Sequence, residues 1–154
     1  MPGRSHVGDA LPCHPGKYHV QANPGCFSCA PGLYQPGQGK DGCVRCPAGK
    51  FSESTNADWC KVCQAGTYQA ANGKSYCSEC AAGSITDTGT SAGAKACAAC
   101  EAGKFMSDTG ATACLVCSTE KGKGYSSSEG ASECDKAAAG YFFNANGNPK
   151  LCPD

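Results

Sequence analysis

Large side chains are scarce in this 154-residue chain, which has two Met, one Trp, five Phe and six Tyr. Much of its 40 % hydrophobic fraction is Ala and Cys, residues that bury little area each, so a conventional core is a poor expectation. Charge of one sign is missing as well. Lys plus Arg and Asp plus Glu number 13 each and are scattered singly, which removes the electrostatic case for nucleic acid or an anionic membrane surface. No apolar run approaches the ~18 residues of a membrane span. Every Asn fails the Asn-x-Ser/Thr pattern, so N-linked sugar is not expected. No segment repeats its apolar residues at helical spacing. There is no Gly-rich phosphate loop before a helix, no carboxylate pair beside a His, and no Ser, His and Asp grouping outside polar loops. The chain is therefore read as non-enzymatic, with no catalytic residues and no cofactor.

What the chain has instead is cysteine, 15 residues of it, together with 21 Gly. That is close to the ~10 % at which composition alone indicates a disulfide scaffold, and covalent staples or metals must supply what the core cannot. The cysteines are periodic. Cys-x-x-Cys pairs begin at Cys26, Cys43, Cys60, Cys77, Cys97 and Cys114, which keeps a 17-residue period with one three-residue insertion between Thr86 and Ala96. Counting from the Cys that opens each unit, Gly stands at the third place (Gly16, Gly32, Gly49, Gly66, Gly83, Gly103). A Gly there marks a turn of positive φ or a close backbone approach. The fifth place holds Tyr18, Tyr34, Phe51, Tyr68, Ile85 and Phe105, expected to be the one substantial apolar group of each unit, lying over its neighbour's disulfide. Loops of Gly, Ser, Thr, Asn and Asp separate these signals, so short strands and turns are the coarse secondary structure.

Two simple pairing schemes fit the period. In a nearest-neighbour ladder each opening Cys closes on the next Cys along: Cys13-Cys26, Cys29-Cys43, Cys46-Cys60, Cys63-Cys77, Cys80-Cys97, Cys100-Cys114 and Cys117-Cys134, leaving Cys152 unpaired. In the alternative, neighbouring Cys-x-x-Cys pairs cross-link, as Cys26 to Cys43 and Cys29 to Cys46, with Cys134 free to take Cys152 and Cys13 left over. The N-terminal edge favours the ladder, because Ala10 stands where a further Cys would need an upstream partner. The other edge fits less cleanly: Ala137 stands where a partner for Cys152 is expected. A redox role for each Cys-x-x-Cys is disfavoured by six tandem copies without a strand-to-helix context. Zinc is the stronger rival, since pairs of Cys-x-x-Cys at this separation resemble four-Cys zinc sites. The unpaired Cys at each end of the run and the Gly and aromatic pattern after each second Cys count against it, and no metal ligands are assigned. His6, His14 and His19 lie near Cys13 but are read as exposed residues of a terminal unit.

The unit Cys46-Pro47-Ala48-Gly49-Lys50-Phe51, with a polar loop leading to Cys60-Lys61-Val62-Cys63, resembles the ephrin-receptor-like cysteine-rich repeats of extracellular proteins. It is also similar to the short cysteine-rich modules of tumour-necrosis-factor and growth-factor receptors. The resemblance runs from Cys13 to Cys134 and weakly to Cys152. It implies an elongated, disulfide-laddered rod in a secreted or cell-surface protein, with no catalytic residues to carry over. The fold class expected is thus a small disulfide-rich chain of β-hairpins and turns stacked as a solenoid-like rod. An N-terminal extension (1–12), a tandem array (13–134) and a degenerate terminal repeat or cap (135–154) divide it.

Function is then expected in loops and ends. The rod would project, adhere or self-assemble into a filament or coat, head-to-tail contacts being open ones; a ligand-binding receptor-like ectodomain is the alternative. Protein partners or further copies are expected, with Tyr141, Phe142 and Phe143 the candidate interface and Cys152 available for an intermolecular bond or a missing downstream partner. Ser52, Ser54, Thr55, Thr86, Thr88, Thr90, Ser91, Ser107 and Thr109 are candidate carriers of O-linked sugar. Met1 to Pro12 lacks the apolar centre of a secretory signal, so an oxidising location would make this chain a mature or trimmed piece of something longer, or one whose signal was not recorded.

Overall fold

The computed structural model describes residues 12–153. Within them the chain forms eight two-stranded antiparallel hairpins in sequence order, which we number as rungs 1 to 8. Rung 1 pairs Lys17–Val20 with Asn23–Ser28, rung 2 Leu33–Tyr34 with Val44–Arg45, and rung 3 Lys50–Phe51 with Lys61–Val62. Rung 4 pairs Thr67–Tyr68 with Ser78–Glu79, rung 5 Ser84–Thr86 with Cys97–Ala99, and rung 6 Lys104–Phe105 with Leu115–Val116. Rung 7 pairs Tyr125–Ser126 with Lys136–Ala137, and rung 8 Tyr141–Phe143 with Pro149–Leu151.

The sequence unit explains the hairpin. The fourth and fifth residues after the opening Cys form one strand, and the two residues inside the Cys-x-x-Cys form the other. The opening Cys bonds to the first Cys of that motif: the disulfides are Cys13–Cys26, Cys29–Cys43, Cys46–Cys60, Cys63–Cys77, Cys80–Cys97, Cys100–Cys114 and Cys117–Cys134, with Cα atoms 5.5–5.8 Å apart. The second Cys belongs to the next rung, and its N–H donates back to the turn Gly, as in Cys46 to Gly32 O at 2.9 Å and Cys63 to Gly49 O at 2.9 Å. Rungs 1 to 7 are thereby closed at one end by sulfur and at the other by backbone.

Rungs stack through their backbones. The turn Gly N–H of one rung donates to the carbonyl six places into the next, as in Gly32 to Ser52 O at 2.7 Å and Gly49 to Gln69 O at 2.8 Å. In return a residue at the loop tip of the second rung donates to the opening Cys of the first: Gly39 to Cys13, Asn56 to Cys29, Gly73 to Cys46, Gly93 to Cys63, Gly110 to Cys80 and Gly130 to Cys100, all at 2.7–3.0 Å. These tips all have positive φ, and Asn56 (φ 62°) is the one non-Gly residue in that region among the described residues. Asn tolerates the left-handed conformation better than most side chains.

The stack reaches one rung further than nearest neighbours. A β-carbon built on Gly49 would stand 2.4 Å from Gly93 O, two rungs on, and the same holds for Gly16 against Asn56, Gly32 against Gly73, Gly66 against Gly110 and Gly83 against Gly130. The turn Gly therefore answers both demands, positive φ and close approach.

At the fifth place Phe105 lies, as expected, against its neighbour's disulfide, Cys117–Cys134. Tyr18, Tyr34, Phe51, Tyr68 and Ile85 are half-buried, and Phe105 alone of that series is buried. Most other enclosed positions are the opening Cys residues and, in rungs 2 to 7, the sixth place: Gln35, Ser52, Gln69, Thr86, Met106 and Ser127. Alternation along the strand puts the fifth residue on the flank of the hairpin and the sixth between rungs. There the spacing is set by backbone hydrogen bonds, which leaves room for short or polar side chains. These are satisfied locally: Gln69 Nε2 donates to Tyr76 O at 2.8 Å and accepts at Oε1 from Ala71 N–H at 3.1 Å, and Thr86 Oγ1 donates to Gly89 O at 2.8 Å.

Rung 7 carries the one helical turn among the described residues, Cys117–Glu120, which takes up the extra residues before Gly124. No helix among the described residues is long and apolar enough to cross a membrane.

Candidate functional surface

The seven disulfides occupy fourteen cysteines as joints between loops, which leaves the Cys-x-x-Cys motifs no thiolates for metal or redox chemistry in this structure. Among the described residues no group of three or more His, Cys, Asp or Glu side chains could hold a metal ion. His14 is exposed, and His19 Nδ1 lies 2.9 Å from Lys40 O, a contact in which the ring N–H donates. His6 lies outside the described residues, as do nearly all of the expected extension, residues 1–12.

The C-terminal rung separates the aromatic cluster. Phe143 packs on Tyr125 of rung 7 with ring centroids 5.7 Å apart. Tyr141 closes against Gly124, where an added β-carbon would meet its ring at 2.7 Å. Phe142 points the other way and is 45 % exposed. Rung 8 also stacks differently: Gly147 N–H bonds back to Asn144 O at 2.9 Å instead of reaching rung 7, so its loop closes on itself around the Asn144 side chain.

Cys152 is exposed and unpaired among the described residues. Its backbone corrects the expectation that Ala137 stands in its partner's place. The Cys152 N–H donates to Gly140 O at 2.9 Å, the bond that Cys29, Cys46 and Cys63 make as they open their rungs. Cys152 thus holds an opening position, not a closing one. Rung 8 has Ala137 in its opening place and Pro149 in its closing place, so the loss of its own disulfide and the free thiol are separate events.

Loop hydroxyls divide as well. Ser52 and Thr86 are buried and bonded to Ser54 O and Gly89 O, which removes both from the candidate sugar carriers. Ser54, Thr55, Thr88, Thr90, Ser91, Ser107 and Thr109 are exposed. The electrostatics are local. The hydrogen bond from Lys104 Nζ to Glu101 Oε2, 2.8 Å, and then its charge hold the Glu101 carboxyl below the usual carboxylate range.

The loop-tip series at residues 39, 56, 73, 93, 110 and 130 is the part that sequence reasoning missed. Its signal was present, since these residues follow the opening Cys at a fixed distance apart from the inserted loops.

Residues 16–58 and 49–95 each match the family model described as tyrosine-protein kinase ephrin type A/B receptor-like, and together the matches run from rung 1 into the loop of rung 5, just over half of the chain. No curated protein matches it.

Proposed function

Because the chain belongs to the ephrin type A/B receptor-like cysteine-rich family, we propose that it works outside the cell as a non-catalytic, receptor-like rod. Its role is to hold loop surfaces at fixed spacing and orientation for protein partners. The observation that carries this reading is the backbone stack linking successive rungs and, for rungs 1 to 5, reaching the one beyond, which positions loops with few large buried side chains. Seven disulfides agree with an oxidising location. Rotary-shadowed or negative-stain electron microscopy of purified chain is expected to show narrow straight particles of uniform length. Collapsed globules or flexible strings would overturn it.

A second reading, self-assembly into a filament or coat, is favoured by the C-terminal end, where Phe142 and Leu151 are exposed beside the free Cys152. Concentrated material should then give end-to-end particles, sensitive to Phe142→Ser or Cys152→Ser. Dispersed single rods at high concentration would sink this version and leave the first intact.

A further inference from the structure

The repeat supplies its own control for which side chains the fold needs. The residue just before the closing Cys is Gly25, Gly42, Ala96, Ala113 and Glu133 in rungs 1, 2, 5, 6 and 7, so the rung closes without a large group there. In rungs 3 and 4 that place holds Trp59 and Tyr76, which are 61 % and 59 % exposed. Neither ring is buried by its own unit, and large aromatic surface left in water on two successive rungs marks a recognition surface. With Phe51 and Val62 they line one open groove of about 580 Å³.

The rest of the lining selects the ligand. Glu53, Lys61, Gln64 and Ser75 also line the groove, and Lys61 Nζ is hydrogen-bonded to Glu53, so the charges cancel where they stand. The site offers aromatic faces, no net charge, and both donors and acceptors around them. We propose that the groove of rungs 3 and 4 binds a neutral oligosaccharide. A sugar ring has an apolar C–H face that stacks on Trp59 or Tyr76. Its edge hydroxyls both donate and accept, which matches a rim holding an ammonium, a carboxylate and an amide. A proline-rich peptide, the other common occupant of aromatic grooves, offers carbonyl acceptors but few N–H donors, so it would match only the donors of this rim. An anionic ligand would meet Glu53 and a cationic one Lys61. Because the rings sit one rung apart, an extended saccharide engages both. The proposal goes beyond the rod reading and does not depend on end-to-end assembly.

Trp59 is the one tryptophan of the chain, so its emission reports on this groove alone. Gluco-, manno-, galacto- and N-acetylglucosamine oligomers, with a proline-rich peptide alongside, would be titrated against the intact chain up to about 10 mM. At least one neutral oligosaccharide should shift the emission to the blue and saturate. Tyr76→Ala should weaken that binding about tenfold or more, and Trp59→Ala should remove it in calorimetry. Both variants should keep the wild-type disulfide map, because Ala already stands at this place in rungs 5 and 6. Three results would each overturn the proposal: no saturable change with any sugar, tighter binding of the peptide, or undiminished sugar binding by Trp59→Ala.

Discussion

A β-carbon on Gly66 would stand 2.0 Å from the carbonyl oxygen of Gly110, two rungs on, while one on Gly140 would meet nothing within 4 Å. Both residues have positive φ, 85° and 81°, so Ala at either place pays the left-handed strain of about 1–2 kcal/mol. Only Gly66→Ala must also push two backbones apart. We expect it to destabilise by about 3 kcal/mol or more and Gly140→Ala by about 1 kcal/mol, read as denaturation midpoints with the disulfides intact. Equal losses would mean that the contact across two rungs contributes nothing. The Glu101–Lys104 pair makes a different prediction. A carboxyl whose folded pKa is lowered contributes stability above its unfolded pKa and loses it as pH falls through the folded one. Because Glu101 is fully exposed, solvent screens the pair, and the effect belongs to titration more than to melting. Glu101 should titrate below the usual carboxylate range by NMR, and Lys104→Ala should return it there.

At the scale of the hairpin, the turn Gly and the strand positions were legible because each is repeated at a fixed distance from a Cys. The burial of the sixth residue was not. Gln35, Ser52, Gln69, Thr86, Met106 and Ser127 share no hydrophobic character, and a periodicity argument looks for one. What they share is the gap between two backbones that are already hydrogen-bonded, and that gap exists only once the rungs are stacked. Loop tips were missed for a related reason: Asn56 breaks the run of Gly, and their partners lie in another rung. Gln69 tests whether such a polar side chain fills space or satisfies its loop. Gln69→Met keeps the volume and copies Met106, which is buried at the same place in rung 6. It leaves Tyr76 O and Ala71 N–H without their partners, and we expect a loss of about 1–3 kcal/mol. A variant as stable as wild type would make the two hydrogen bonds incidental.

Over the whole molecule, the ladder and the zinc reading differ in thiols and in map. Denatured but unreduced chain should titrate about one thiol, that of Cys152, and yield a peptide joining Cys13 to Cys26; a Cys26 to Cys43 peptide would mean cross-linked pairs. The stack also sets how far a disturbance travels. With no core shared by all rungs, stability is a sum of rung and junction terms, and close backbone approach reaches at most two rungs on. Gly66→Ala forces apart rungs 4 and 6, so the Gly110 N–H, which bonds Cys80 O at 2.8 Å, should exchange faster with deuterium. The Gly39 N–H, bonded to Cys13 O at 2.9 Å at the rung 1–2 junction, lies on the side of rung 4 away from the forced contact and should keep its protection. If both amides lose protection together, the eight hairpins unfold as one cooperative unit, and loop surfaces far apart on the rod are energetically coupled. Local loss at Gly110 alone would mean that the saccharide binding proposed for rungs 3 and 4 and the contacts proposed for rung 8 would be independent events on a shared support.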